Sequence, residues 1–156
     1  MFSSIHGRWW ERKLVSTRNS KIHGLGVFAN RSIAPGQVLA HYGGEILSAE
    51  EAKRELAAGN PYLLELPDGR VLDGSASRQL GRFFNYSCDP SAHLKYRESV
   101  PLIISSRAIA RGEEITIDYG FEPNELMRFP CACGKPNCVG YIVAVSYHPM
   151  VRRVWG

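Results

Sequence analysis

The clearest pattern along the chain is the alternation Glu113-Glu114-Ile115-Thr116-Ile117-Asp118-Tyr119-Gly120. A period of two predicts a strand with Ile115, Ile117 and Tyr119 on one face and Thr116 and Asp118 on the other. Shorter apolar runs predict further strands. Val38-Leu39-Ala40-His41-Tyr42 follows a Pro35-Gly36 turn, and Leu102-Ile103-Ile104 has the character of a buried strand. Tyr62-Leu63-Leu64-Glu65-Leu66 and Val71-Leu72-Asp73 flank Pro67-Asp68-Gly69-Arg70, which predicts a hairpin. Convincing helix signals occur once. Ser48 is a good N-cap with Glu51 three residues on, Gly59 suits the position after the C-cap, and Pro61 blocks continuation. That segment is expected to be a short surface helix. Arg31-Ser32-Ile33-Ala34-Pro35-Gly36 is echoed by Arg107-Ala108-Ile109-Ala110-Arg111-Gly112, each leading into a strand that ends near a tyrosine and a glycine.

Composition agrees with a mainly β chain. Of the 156 residues, 44% are hydrophobic and 22% charged, enough to build one globular domain with a real core. Fifteen glycines and nine prolines favour short strands and tight turns over a helical bundle. No apolar run approaches the ~18–20 residues that span a bilayer, so no membrane association is expected. The stretch from Met1 to Arg8 lacks the apolar core of a cleaved export signal. The formal charge of +4 is spread along the sequence, with Arg152-Arg153 as its best cluster, so nucleic-acid binding is not expected. Trp9 and Trp10 stand side by side, suited to core packing or to contact with a partner, a second copy of the chain included.

Candidate chemistry sits at three places. In Gly24-Leu25-Gly26 two glycines flank one apolar residue before a strand, which suits a hairpin turn or close approach of a ligand. The pair lacks the third glycine and the following helix of a dinucleotide site. Arg82-Phe83-Phe84-Asn85-Tyr86-Ser87-Cys88-Asp89-Pro90 packs three aromatics, an amide, a hydroxyl and a thiol before a proline-forced turn. It is either a polar loop or a binding loop that lends Cys88 to a distant partner. Cys131-Ala132-Cys133-Gly134-Lys135-Pro136-Asn137-Cys138 holds the chain's other three cysteines. With Cys88 they make a four-thiolate set suited to structural zinc. Disulfides, which the missing export signal argues against, and a redox pair are the competing readings. Tyr119 alone reads as a core tyrosine whose hydroxyl needs a partner.

Together these stretches resemble SET-domain protein lysine methyltransferases. Gly24-Leu25-Gly26, Tyr42-Gly43-Gly44-Glu45, the 82–90 stretch, Gly112 to Gly120 and the closing cysteines stand in the order of that family. The likeness runs from about Val15 to Val143 and is greatest to the small stand-alone bacterial type, which would imply a cytoplasmic protein. It implies an N-terminal extension over 1–14, a SET domain over 15–120, a post-SET zinc segment over 121–145 and a C-terminal tail over 146–156. The implied fold is a set of small sheets with a knot-like C-terminal crossing. The implied activity is transfer of methyl groups from S-adenosylmethionine to lysine side chains of a protein or peptide, with a histone or other basic protein among the expected substrates.

By the same resemblance, His23, Gly24, Leu25, Tyr62, Arg82, Asn85, Tyr86 and Gly134 would hold the cofactor and Tyr119 would be catalytic. Tyr42, Leu94, Ile117 and Phe121 would line the substrate channel. Cys88, Cys131, Cys133 and Cys138 would bind one structural zinc ion. The family usually has His where this chain has Tyr86, and Asn where it has Ser91. Aliphatic Leu94 and Ile117 stand at positions that often carry an aromatic, which implies a roomier pocket and more than one methylation. Two other functions fit fewer of these features: a SET protein that binds cofactor or peptide without turnover, and a zinc-stabilised nucleic-acid module. A homodimer through the tryptophan pair stays among the expectations.

Overall fold

The computed structural model describes residues 11–124 and 129–155; Trp9 and Trp10 lie outside the described residues. Three small sheets form the body. One turn of helix, α1 (Glu11–Leu14), leads into β1 (Val15–Asn19) and β2 (Leu25–Ala29). There follow β3 (Val38–His41), β4 (Glu45–Leu47), α2 (Ala49–Ala57), β5 (Leu63–Glu65) and β6 (Val71–Asp73). A 3-10 turn over Leu80–Phe83 precedes β7 (Asn85–Tyr86), β8 (Ala92–Arg97), β9 (Val100–Ser105) and β10 (Glu114–Ile117). The chain then reaches α3 (His148–Val154). The sheet orders are β1-β2-β10-β7, β3-β9-β8 and β4-β6-β5.

The echoed hexads have a structural reason. Ile33 and Ile109 exchange both backbone hydrogen bonds at 2.9 Å. Gly36 N–H donates to Ser105 O and Gly112 N–H to Ala29 O, each at 2.8 Å. Both glycines need the left-handed backbone, at φ 80° and 82°. The unit β2–turn–β3 thus meets the unit β9–turn–β10 as its counterpart, β2 against β10 and β3 against β9. The buried core lies at this crossing, with Val27, Leu39, Ile33, Ile103, Ile109 and Ile115 packed together. Two strand-turn units converge, and their ends carry Tyr42-Gly43 and Tyr119-Gly120.

The predicted surface helix is present with its capping box: Ser48 Oγ accepts from Glu51 N–H, and the Glu51 carboxylate accepts from Ser48 N–H at 2.8 Å. None of its residues is buried. The predicted hairpin forms between β5 and β6 in the register Leu63↔Asp73.

One expectation needs correction. The alternation at 113–120 stops being a strand at Ile117. Thr116 is buried beside Ile115 and Ile117, because β7 pairs with β10 in parallel and Ser91 Oγ accepts from Thr116 N–H. Tyr119 therefore sits in the bend beyond the strand and not on its aliphatic face. The stretch over 146–156 contains α3, with His148 and Val151 buried.

Candidate functional site

Tyr119 is held by backbone. Its hydroxyl donates to the Phe84 carbonyl at 3.0 Å, and the Tyr86 backbone N–H faces the same phenolic oxygen. Phe84 precedes β7 and Tyr86 ends it, so the parallel pairing of β7 with β10 fixes where the hydroxyl points. Burial, then the neighbouring Tyr62, push its pKa up to about 12, so the phenol stays protonated at neutral pH. Tyr119 as a whole remains 38% exposed. The Tyr119 ring packs on Tyr86 at 5.7 Å and on Phe121 at 5.5 Å, and Phe121 packs on Phe129 at 6.2 Å. Tyr42 faces the same place; burial and then Tyr119 raise its pKa, and its hydroxyl donates to Tyr62 O at 2.8 Å.

On one side of this tyrosine group lies the Gly-x-Gly turn. Asn85 Nδ2 reaches His23 O at 3.0 Å, Leu25 O at 3.2 Å and Glu114 Oε1 at 2.9 Å. Ser20 Oγ donates to Glu114 and accepts from the N–H groups of Ile22 and His23. A Cβ on Gly26 would stand 2.2 Å from Glu114 Oε1, so a side chain there would displace the Glu114 carboxylate. The outer side of the turn is open: Gly24 takes φ 45°, a Cβ there would meet nothing within 4 Å, and Leu25 is 43% exposed. Arg82 lies over the Phe83 ring at 4.5 Å and the Tyr62 ring at 5.7 Å, and one of its terminal nitrogens bonds Ser75 O. Its Nε is buried with no partner among the described residues.

The four cysteines come together. Their ligand atoms all lie within 4.8 Å of one another, with Cys88 Sγ 3.9 Å from Cys131 Sγ and 3.8 Å from Cys138 Sγ. A tetrahedron with Zn–S bonds of about 2.3 Å has sulfurs about 3.8 Å apart. Backbone N–H groups of Val139, Cys133 and Gly140 face the sulfurs of Cys88, Cys131 and Cys138. Burial raises the Cys88 and Cys131 thiols. At Cys133 burial is outweighed by the Cys88 and Lys135 N–H groups and the Cys131 and Cys138 sulfurs, which bring it down to about 7. The arrangement could hold a metal ion. Gly134, at φ 67° between two of the ligands, is exposed with open space beside it.

Tyr86 is 2% exposed. Its hydroxyl donates to Val143 O at 2.6 Å and lies 3.1 Å from His148 Nε2 and 3.6 Å from Cys88 Sγ. Ser91 is buried too, bonded both ways to the Thr116 backbone. Ile117 is buried in the core as the parallel partner of Tyr86, and Leu94 packs half-buried against the same core from β8. The structure thus ties His23 and Leu25 together through the Asn85 amide, stacks Tyr86 on Tyr119, and sets Tyr42 and Tyr62 near Tyr119 with Arg82 over the Tyr62 ring. Leu94 and Gly134 show no direct contact with Tyr119 among those described. Ser20, Glu114 and His148 escaped the sequence reading. Glu114 stands in the quoted Gly112–Gly120 motif and was findable there; Ser20 and His148 lie in stretches with no motif.

The sequence matches the SET domain family over residues 24–120. Relatives include histone-lysine N-methyltransferase set-2 of Caenorhabditis elegans, 32% identical over 151 residues, covering 90% of this chain and 10% of that protein. The histone-lysine N-methyltransferase trr of Drosophila melanogaster is 35% identical over 139 residues, 83% of this chain and 6% of its own length. An H3 lysine-36 specific histone-lysine N-methyltransferase of Yarrowia lipolytica is 35% identical over 152 residues, 91% of this chain and 20% of its own. The chain thus spans a fifth or less of these relatives. Among the described residues no helix is long and apolar enough to cross a membrane.

Proposed function

Since the chain belongs to the SET-domain family, we propose that it transfers methyl groups from S-adenosylmethionine to the side-chain amine of lysine in a protein substrate. The grip on the Tyr119 hydroxyl carries this reading. Its proton is committed to Phe84 O and the Tyr86 N–H faces the oxygen, which leaves a lone pair to accept an N–H from an incoming amine. An amine so held turns its own lone pair away from Tyr119, as in-line attack on a methyl group requires.

S-adenosylmethionine supplies a methyl group made electrophilic by its sulfonium. The residues present fit it: an open Gly24 turn, space beside Gly134 and the orphan Arg82 N–H are features a polar, elongated ligand would use. His23, Gly24, Leu25, Tyr62, Arg82, Asn85, Tyr86 and Gly134 would hold it. A lysine of pKa about 10.4 costs about 4.6 kcal/mol to deprotonate at pH 7. Burial among Tyr42, Ile117, Tyr119 and Phe121 lowers that cost by disfavouring the charged form. Tyr119 is protonated throughout this range, so it orients the amine and takes no proton from it. Aliphatic Ile117 and Leu94 add no hydroxyl near the amine, which supports more than one methylation.

Cys88, Cys131, Cys133 and Cys138 would bind one zinc ion, closing a post-SET segment over 121–145 on the 15–120 domain. The donor set and its sulfur spacing support zinc, which would cross-link β7's loop to the C-terminal segment. A histone or another basic protein is the substrate class we propose, because the relatives' names specify histone lysines. Readings as a protein that binds without turnover, or as a nucleic-acid module, are not favoured by these relatives. The test is calorimetry with S-adenosylmethionine, followed by labelled methyl transfer to purified histones and lysine peptides. Binding plus label on lysine is expected; binding with no label on any lysine overturns the enzymatic reading.

A further inference from the structure

The C-terminal helix reaches the site through one buried side chain. His148 opens α3 and is 6% exposed, and its Nε2 lies 3.1 Å from the Tyr86 hydroxyl. That hydroxyl has a single proton, and the 2.6 Å contact with Val143 O takes it. With that proton on Val143 O, the tautomer that carries hydrogen on Nε2 lets His148 donate to the hydroxyl, and this is the arrangement the inference takes. Burial, and then Arg152, hold the imidazole below its ordinary pKa, in keeping with a neutral ring.

Tyr86 in turn touches Tyr119 twice. Its ring meets the Tyr119 ring edge-on at 5.7 Å and 61°, and its backbone N–H faces the phenolic oxygen. β7 is only two residues long, so its position depends on what anchors the Tyr86 side chain. The rest of the C-terminal segment docks on the same region. Ala144 N–H donates to Phe121 O at 2.8 Å, Val145 N–H to Asp118 Oδ2 at 2.9 Å and Arg152 to Asn137 O at 2.7 Å.

We propose that His148 is a positioning residue for methyl transfer: by donating to the Tyr86 hydroxyl it fixes the short strand whose backbone grips Tyr119. The proposal rests on the role given to Tyr119 above. A buried histidine that merely fills space would do its work through volume; this one works through a hydrogen bond, and the two differ in what substitution does.

The experiment compares the zinc-loaded full chain with His148→Ala, His148→Gln and Tyr86→Phe. Metal content and thermal melting establish folding in each. A Gln amide N–H can replace the Nε2 donor, whereas Ala cannot. At saturating cofactor we expect His148→Ala to lower kcat about tenfold with peptide KM unchanged, a small misalignment being enough for that loss. His148→Gln should keep kcat within about twofold of the parent, since its donor is retained. In tyrosine ring-labelled protein, the 13C signal of the Tyr119 Cζ should shift in His148→Ala and in Tyr86→Phe but not in His148→Gln.

Equal losses in Ala and Gln, a rise in KM alone, or an unmoved Tyr119 signal in folded His148→Ala overturns the proposal. If His148→Ala does not fold, Tyr86→Phe and His148→Gln still decide it: the first must shift the Tyr119 signal and the second must not. If the parent protein transfers no methyl group, the functional reading fails, and the Tyr119 signal alone decides whether His148 positions that side chain.

Discussion

Asn85 shows how much one amide can organise. Its Nδ2 serves two carbonyls of the 23–25 turn and the Glu114 carboxylate, so two separate stretches depend on it. Replacing it with Ala leaves those acceptors short of a donor, at about 1–3 kcal/mol. Asn85→Ala should therefore weaken S-adenosylmethionine binding about tenfold or more by calorimetry while zinc content is unchanged; an unchanged affinity contradicts the role given to the turn. His148 makes a prediction about pH. Its folded pKa is lowered, by burial first and Arg152 second, against the opposing pull of Asp118 and Val143. Between about pH 6.5 and that lower value the unfolded chain takes a proton that the folded chain refuses. Stability from this group is complete above the window and is lost as pH falls through it. Urea melts across that range should fall less steeply for His148→Gln than for the parent. At this scale the four cysteines were legible from their spacing, whereas Asn85 and Tyr119 stood out only through the family resemblance. The partners of Tyr86 were not: a tyrosine states that its hydroxyl needs an acceptor, but not that Val143 and His148, more than fifty residues on, will meet it.

Among the elements, β2 and β10 depend on a missing side chain. Gly26→Ala would put a methyl 2.2 Å from Glu114 Oε1 and 3.1 Å from Ser20 Cβ, displacing the carboxylate that Asn85 and Ser20 share. A loss of about 1–3 kcal/mol in denaturant unfolding is expected from such overpacking; a loss near zero would mean the carboxylate moves freely. The β8–β9 hairpin carries the reverse opportunity. Glu98 and Ser99 form its two-residue turn at φ 48° and 64°, a conformation that suits Asn-Gly. Changing Glu98→Asn together with Ser99→Gly should raise stability by about 0.5–1 kcal/mol. The α2 helix was legible because its cap, stop and proline are local signals. Helix α3 was not, because only His148 and Val151 are buried in it and seven residues are too few for a periodic stripe. The alternation in β10 was legible as a strand but misleading about faces, since a parallel neighbour buries the polar side as well.

Over the whole molecule, two strand-turn units cross and their ends bring Tyr42 and Tyr119 together, each hydroxyl donating to a backbone carbonyl. The echo Arg31–Gly36 and Arg107–Gly112 hinted at this, but six matching residues cannot say that the copies pair with each other. The cysteine cluster then joins Cys88, beside β7, to the segment at 131–138. Chelation, or Cys88→Ser, should remove one zinc per chain and lower the melting temperature; zinc kept at one per chain in Cys88→Ser would contradict the assignment. Both the grip on Tyr119 and the cysteine cluster converge on β7, so loss of zinc should lower methyl transfer as well as stability. The most direct measurement is mass spectrometry of histones and a lysine-centred peptide library after incubation with S-adenosylmethionine and either the parent chain or Tyr119→Phe. Methylated lysine from the parent, and about a hundredfold less from a variant that still binds cofactor, is the predicted result. Equal methylation by both, or none by a zinc-loaded parent that binds the cofactor, would contradict it.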